Sequence, residues 1–343
     1  MKKLLNTLYI TNPDHYISLE GETVIVRKDD EKIAQLPLHN LKSIVTFGYT
    51  GASPALMGAC AKRNIDLNFL TPNGRYLARI LGESRGNVTL RKEQYRISDS
   101  EERSCLVARN FVTGKIFNAK WILERATRDH GMRLDVEHIK NSSLSLSAKL
   151  QESRSCERLE NLRGIEGNAA KIYFGEFDNL ILQQKEDFYF IGRNRRPPTD
   201  NVNALLSFVY TLLAGDCTSA LESVGLDAYV GFLHRDRPGR ASLALDLMEE
   251  LRTVMADRFV LTLVNTKAVN GKDFLKRENG AVLMKDEARK NILSAWQDRK
   301  REEIKHPFLE EKVQWGLIPY IQAMLLARYI RGDLDEYPPL LWK

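Results

Sequence analysis

"CLVARNFVTGKIFNAKWILERATRDHG", residues 105–131, decides the fold. Val107, Phe111, Ile116 or Phe117, and Ile122 recur near helical spacing, with charged residues between them. The chain keeps this charged, amphipathic character from about residue 89 to 190, with almost no Pro and few Gly. Upstream the pattern changes. "LLNTLYI", "HYISLEG", "TVIVRK", "KIAQLPL", "LKSIVTF", "DLNFLT" and "RYLARIL" are short runs rich in β-branched and aromatic residues. Turn residues such as Asn12-Pro13, Glu20-Gly21 and Asn73-Gly74 bound them, so they read as strands. One helix is expected among them, capped by Ser53, with Pro54 at its first position and "ALMGACAKRN" following. "GESRGN", residues 82–87, reads as a linker. The expected fold class is therefore α+β: a small N-terminal β domain, residues 1–84, then a larger, mostly α-helical domain, residues 85–343. Further on, "VLTLVNTKAVNGKDFLKRENGAVLMK" (260–285) has β-rich runs and two Asn-Gly pairs, which suits a small hairpin. The end, "DLDEYPPLLWK", is irregular.

Bulk composition narrows the class. The 343 residues carry 51 Lys plus Arg against 45 Asp plus Glu, a net of +6. That balance permits a polyanionic partner without demanding one. Hydrophobic residues at 43% can build a sizeable core, and charged residues at 28% argue for a water-soluble chain. Cys60, Cys105, Cys156 and Cys217 are widely spaced with no C-x-x-C pair, so buried thiols in a reducing cytoplasm are expected, not disulfides or a zinc ribbon. The apolar N-terminal stretch breaks at Asn6 and at Asn12-Pro13-Asp14, too short for a signal peptide. No stretch approaches the roughly 18 apolar residues of a membrane span.

Three features carry candidate chemistry. In "SLALDLMEELRTVMADRF" (242–259), Ala244, Leu247, Met248, Leu251, Val254, Met255 and Phe259 form an apolar helix face. Asp246, Glu249, Glu250, Thr253 and Asp257 share the opposite face, ordinarily a solvated one, with Ser242 placed to cap. His234 lies twelve residues before Asp246, at the end of an intervening loop long enough to fold back onto the first turns of that helix. In "ENLRGIEGNAAKIYF" (160–174), Glu166 falls inside the apolar stripe of Leu162, Ala169 and Tyr173. An unpaired carboxylate is costly to bury. Gly164 and Gly167 flank it although each costs a helix roughly 1 kcal/mol against Ala, which suggests that something approaches closely. A buried salt bridge and a cation site are both compatible with this pattern. Two carboxylates and an imidazole suit a hard divalent cation, with the nitrogen tilting magnesium toward manganese. The third feature is basic: Arg193, Arg195 and Arg196 before Pro197-Pro198, with Asp200 placed to cap the next helix, and Arg235, Arg237 and Arg240 after His234. Arginine holds phosphate bidentately.

Four stretches, "GIEGNAAKIYF", "RNRRPPTDNVNALLSFVYTLL", "GLDAYVGFLHRDRPGRASLALDLMEELR" and "ADR" at 256–258, resemble the CRISPR-associated adaptation endonuclease and integrase family, closest to its type I-C branch. The resemblance covers essentially the whole chain. It implies a homodimer formed through the β domains, and a heterohexamer with a small ferredoxin-like adaptation protein. It implies that foreign double-stranded DNA fragments are captured and inserted at a CRISPR repeat, with Mn²⁺ or Mg²⁺ as cofactor and no membrane. Residue by residue, it places the catalytic metal ligands on Glu166, His234 and Glu249. Asp246 is then either a ligand itself or a brace for one, and Arg195, Arg237 and Arg240 are candidate phosphate contacts. The chemistry implied is phosphodiester hydrolysis or transesterification, with activity falling below roughly pH 6.5 if neutral His234 is a ligand. The rival readings are a non-catalytic DNA-binding architectural protein, an RNA-processing nuclease and a protein-interaction module.

Overall fold

The computed structural model describes residues 6–63, 65–71, 76–80 and 88–343. The expected turn at Asn73-Gly74 and the linker at 82–87 lie outside them. Two compact units form, Met1–Arg85 with Met284–Glu302, and Gly86–Leu283 with Glu303–Lys343. A β-rich N-terminal region precedes a larger helical domain, as the sequence reading expects.

In the first unit, β1 (Asn6–Ile10), β2 (Tyr16–Glu20), β3 (Thr23–Lys28), β4 (Glu31–Pro37), β5 (Leu41–Phe47), β6 (Asp66–Leu70) and β7 (Tyr76–Ile80) make two sheets. One has the order β1-β5-β6-β7, parallel except for its last pair; the other is the antiparallel meander β2-β3-β4. Parallel strands need a crossover, and α1 (Pro54–Arg63) supplies it between β5 and β6. Ser53 accepts a hydrogen bond from the amide of Leu56 at 3.2 Å, the cap expected of it. Leu56, Ala59 and Cys60 of α1 join Ile17, Val24, Ile44 and Leu67 in one core. Strand β4 is exposed along almost its whole length. Its Glu31 and Lys32 are the charged residues that discourage edge pairing.

The second unit contains α2 (Val88–Ser98), α3 (Glu101–His130), α4 (Val136–Arg154), α5 (Leu159–Gly175), α6 (Asn201–Ser223), α7 (Ser242–Leu251) and α8 (Arg258–Asn265). The short strands β8 (Phe274–Lys276) and β9 (Val282–Met284) follow. The helix α9 (Asp286–Arg301) groups with the first unit. Strands β10 (Glu303–Lys305) and β11 (Lys312–Gln314) and helix α10 (Ile318–Ile330) return to the second. A division at 84/85 assigns Met284–Glu302 to the helical domain. The structure groups it with the N-terminal unit, where Gln297 donates to the Tyr9 hydroxyl at 2.9 Å. No local pattern could announce a partner 288 positions away.

Helix α3 is the axis of the second unit and packs against α4, α5 and α7. Val107, Phe111, Ile116 and Ile122, the stripe read from the sequence, are all buried. Helix α6 passes the length and composition test for a membrane span, which the sequence reading did not expect of any stretch. Here it is a core helix that buries Val202, Leu205, Leu206, Val209, Leu213 and Leu221. Asp200 caps it, accepting from the Asn203 amide at 2.7 Å. The expected hairpin forms at the second Asn-Gly pair only: β8 and β9 flank a turn with Gly280 at φ +80°. Asn270, of the first pair, caps a short helical turn instead, and the β-branched run from Val260 to Val264 is helical because its apolar face is buried in the domain.

The irregular C-terminal segment is locked down. The Glu250 carboxylate accepts from the Tyr337 hydroxyl, from the Gln322 amide at 3.1 Å and from the Leu340 backbone at 2.7 Å. Asn118 donates to the carbonyls of Glu250 and Leu340 and accepts from the Trp342 backbone. Burial pushes the Glu250 carboxyl up to about 7 despite its three donors. A Cβ at Gly114 would stand 2.8 Å from Glu250 Cβ and 3.2 Å from Pro339. Only glycine lets α3, α7 and the terminal segment meet so closely.

Candidate functional site

The site is assembled from α3, α5, α7 and the loop before α7. The polar face of α7 is not solvated, contrary to the ordinary reading: Asp246, Glu249, Glu250, Thr253 and Asp257 are all at most 3% exposed. Each acid has its own partner, as burial demands. Asp246 reaches back to the loop. Its carboxylate accepts from the backbone amides of Phe232, Leu233 and His234 at 2.6–2.9 Å, and pairs with His234 Nδ1 at 2.6 Å. A carboxylate is acceptor only, so Nδ1 carries the proton and Nε2 keeps its lone pair for another partner. Asp246 thus sits behind the imidazole with its oxygens fully used. Gly231 makes room for it, since a Cβ there would lie 2.9 Å from Asp246 Oδ2. Arg163 of α5 donates to the Leu233 carbonyl at 2.8 Å and ties the loop to α5. Ser242 does not cap α7 with its hydroxyl; it donates to the Arg235 carbonyl instead.

Glu249 and Glu166 meet on a residue that the sequence reading did not single out. Lys115 of α3, its side chain 8% exposed, pairs through one Nζ with Glu166 Oε1 and, at 2.6 Å, with Glu249 Oε2. Glu249 Oε2 is buried, and the Lys115 ammonium is the partner that reaches it. Its other oxygen accepts from Arg252 at 2.8 Å. Burial alone would raise the Glu249 carboxyl, but the charges of Arg252 and Lys115 outweigh it and hold it well below the usual carboxylate range. Among the described residues, no three acidic, histidine or cysteine side chains close on a single point. Two carboxylates do converge, on the ammonium. Gly164 and Gly167 do not receive a close neighbour: open space lies beside both. The tight approaches are at Gly114 and Gly231.

Behind Glu249 the packing continues inward. The guanidinium of Arg252 lies 4.9 Å from the Tyr210 ring centre and that of Arg193 lies 5.2 Å from it. Tyr210 donates to Asp257 at 2.5 Å. Arg193 also bonds Asn203 and Ser207, so it is a structural residue, not a free phosphate contact. Arg195 and Arg237 are exposed. Arg240 turns inward to the Arg235 carbonyl and Ser242. Burial raises the Asp257 carboxyl from 3.8 to about 6, against the pull of the Tyr210 hydroxyl and Arg252. A carboxyl raised on folding stabilises most at low pH, and that contribution disappears as pH climbs through the folded value. Melting curves should therefore show the wild type losing stability relative to Asp257→Asn as the pH rises from about 4 to about 6, with the gap level above. A constant difference across that window would remove the titration from Asp257.

Residues 8–298 match the family described as CRISPR associated protein Cas1. The CRISPR-associated endonuclease Cas1 1 of Chlorobaculum tepidum is 50% identical over the full length of both chains. Among solved structures, a casposase bound to integration product superposes with a TM-score of 0.84 at 22% identity, covering 99% of this chain and 95% of that one. A Cas6-RT-Cas1–Cas2 complex contains a similar fold, with TM-score 0.82 and 22% identity over all of this chain and 36% of that chain. The β unit, the helical unit and the sequence identity define a CRISPR-associated endonuclease acting in CRISPR adaptation. The chain belongs to the Cas1 family.

Proposed function

We propose that this chain inserts double-stranded DNA fragments into a CRISPR repeat by metal-dependent transesterification, and cuts DNA by the same chemistry with water in place of the 3′-hydroxyl. The observation that carries it is the convergence of Glu166 and Glu249, from separate helices, on one cation, beside an imidazole with Nε2 free. The donor set fits a divalent metal: two carboxylates already drawn together by a cation, and an imidazole nitrogen braced by a carboxylate. The ligands proposed are Glu166, His234 and Glu249, and manganese suits the imidazole better than magnesium. When bound, such a metal polarises the scissile phosphate and lowers the pKa of the attacking oxygen. The chain's own residues do the rest. Asp246 fixes the imidazole's tautomer and direction. Arg252 keeps Glu249 ionised. Arg195 and Arg237 are free to take backbone phosphates, while Arg240 shapes the loop between them and the helix.

The likeness to a casposase bound to integration product supports DNA integration, and the likeness to a Cas6-RT-Cas1–Cas2 complex supports a Cas partner. A small ferredoxin-like protein assembled with homodimers of this chain into a heterohexamer is part of the same proposal. A cytoplasmic place and the type I-C branch belong to the same reading. The test is cleavage of duplex and branched DNA with Mn²⁺, with and without chelator, followed by strand transfer in the presence of the small partner. DNA binding with no metal-dependent cutting or strand transfer would favour a purely architectural role. Arg195→Ala and Arg237→Ala should each reduce the slope of log affinity against log salt by about 1, the loss of one phosphate contact. Anisotropy titrations between about 50 and 200 mM salt read that slope directly, and an unchanged slope would place the DNA elsewhere.

A further inference from the structure

We infer that Lys115 is a resident counter-ion which a divalent cation must displace from between Glu166 and Glu249, so that metal binding at this site is an exchange. The inference rests on the metal-ligand reading above. Its basis is positional. One Nζ touches a carboxylate oxygen of each acid, which is where a shared cation would have to stand. The lysine side chain is 8% exposed and that of Glu249 is 4% exposed. A buried carboxylate without a partner is costly, so in the metal-free protein the ammonium holds the pair together and, with Arg252 on Glu249, balances their charge. Asn118, one turn along α3 from Lys115, is pinned to Glu250 and Leu340, so the stem of Lys115 starts from a fixed point beside α7. A metal ion arriving at the two oxygens meets a positive charge already in contact with both.

Two consequences follow from charge alone. Without the ammonium, the acids gain nothing in the metal-free state and attract a divalent cation more strongly. Lys115→Met should therefore bind Mn²⁺ tighter than wild type by about tenfold or more, the scale on which one neighbouring charge shifts a carboxylate's affinity for a proton. The same variant should melt lower than wild type without metal and gain more in melting temperature when Mn²⁺ is added. Lys115→Arg keeps the charge and should keep wild-type affinity, which separates charge from packing.

Bound Mn²⁺ is measured by loss of the free-ion electron paramagnetic resonance signal on the wild type, Lys115→Met, Lys115→Arg and Glu166→Gln. If Glu166→Gln loses binding while Lys115→Met binds no tighter than wild type, the exchange is wrong and the metal site stands. If Glu166→Gln binds as wild type does, the ligand reading itself fails. Should Lys115→Met not fold, Lys115→Gln carries the same comparison. Tighter binding in either neutral variant, with Lys115→Arg unchanged, upholds the exchange.

Discussion

Glu166→Ala is expected to abolish metal-dependent cleavage and strand transfer while leaving the fold intact. Glu166 stands on α5 with its side chain 24% exposed and open space beside both flanking glycines. Lys115 keeps Glu249 as its partner in the variant. Removing one of the two acids from the Lys115 ammonium falls in the ordinary destabilising range of about 0.5–3 kcal/mol, which leaves a folded protein to assay. The chemical effect is of another order: disturbing even the outer partners of a metal site costs about 10–100-fold, so loss of a ligand should cost at least about 100-fold. Rates on a branched duplex with Mn²⁺, alongside melting curves, decide it. Equal cutting by the two proteins would move the chemistry away from α5.

Glu250→Ala should do the reverse damage. Its neighbour in sequence is the proposed metal ligand, whereas Glu250 serves the fold. Removing its carboxylate strands the Tyr337 hydroxyl proton and the Leu340 backbone N–H in the interior, while the Gln322 amide keeps Tyr337 and the Pro338 carbonyl. Leaving a buried donor without an acceptor costs about 1–3 kcal/mol each, on top of the cavity left by the side chain. Melting should fall by roughly 10 °C for a chain of this size, and the segment after Tyr337 should become open to limited proteolysis. A melting temperature within a degree or two of wild type would mean that the terminal segment is held by its aromatic packing, such as Trp342 against Trp315, and not by this acid.

These two acids also mark how far the sequence could be read. Periodicity gave α3, and side-chain chemistry gave the caps at Ser53 and Asp200, because those signals are local. The polar side of α7 was unreadable as a buried face, because its partners are far along the chain; Tyr337 is 87 positions from Glu250. The close approach that Gly164 and Gly167 suggested occurs instead at Gly114 and Gly231, where tertiary neighbours set the requirement. Lys115 was legible by an argument applied only to Glu166. It falls on the apolar stripe of its helix with Ala108, Phe111, Asn118 and Ile122, and a charge in such a stripe needs an opposite one. Which carboxylate answered it depended on how three helices pack. The outcome for Ser242 is the same kind of lesson: the hydroxyl had a choice of acceptors, and the loop carbonyl won.

One local irregularity has a consequence for descent. Between α7 and α8 the helix widens to a π turn, Arg252–Asp257, directly after Glu249. A π turn holds one residue more than the α-helical circuit allows. Glu249 and Arg252 lie at its entrance and Asp257 at its exit, so the widened turn sets the rotation between the proposed metal ligand and the carboxyl that anchors Tyr210. Deleting any single residue there would turn everything downstream by about 100°. Drift along this lineage can therefore rewrite the letters of that turn more freely than it can change their number.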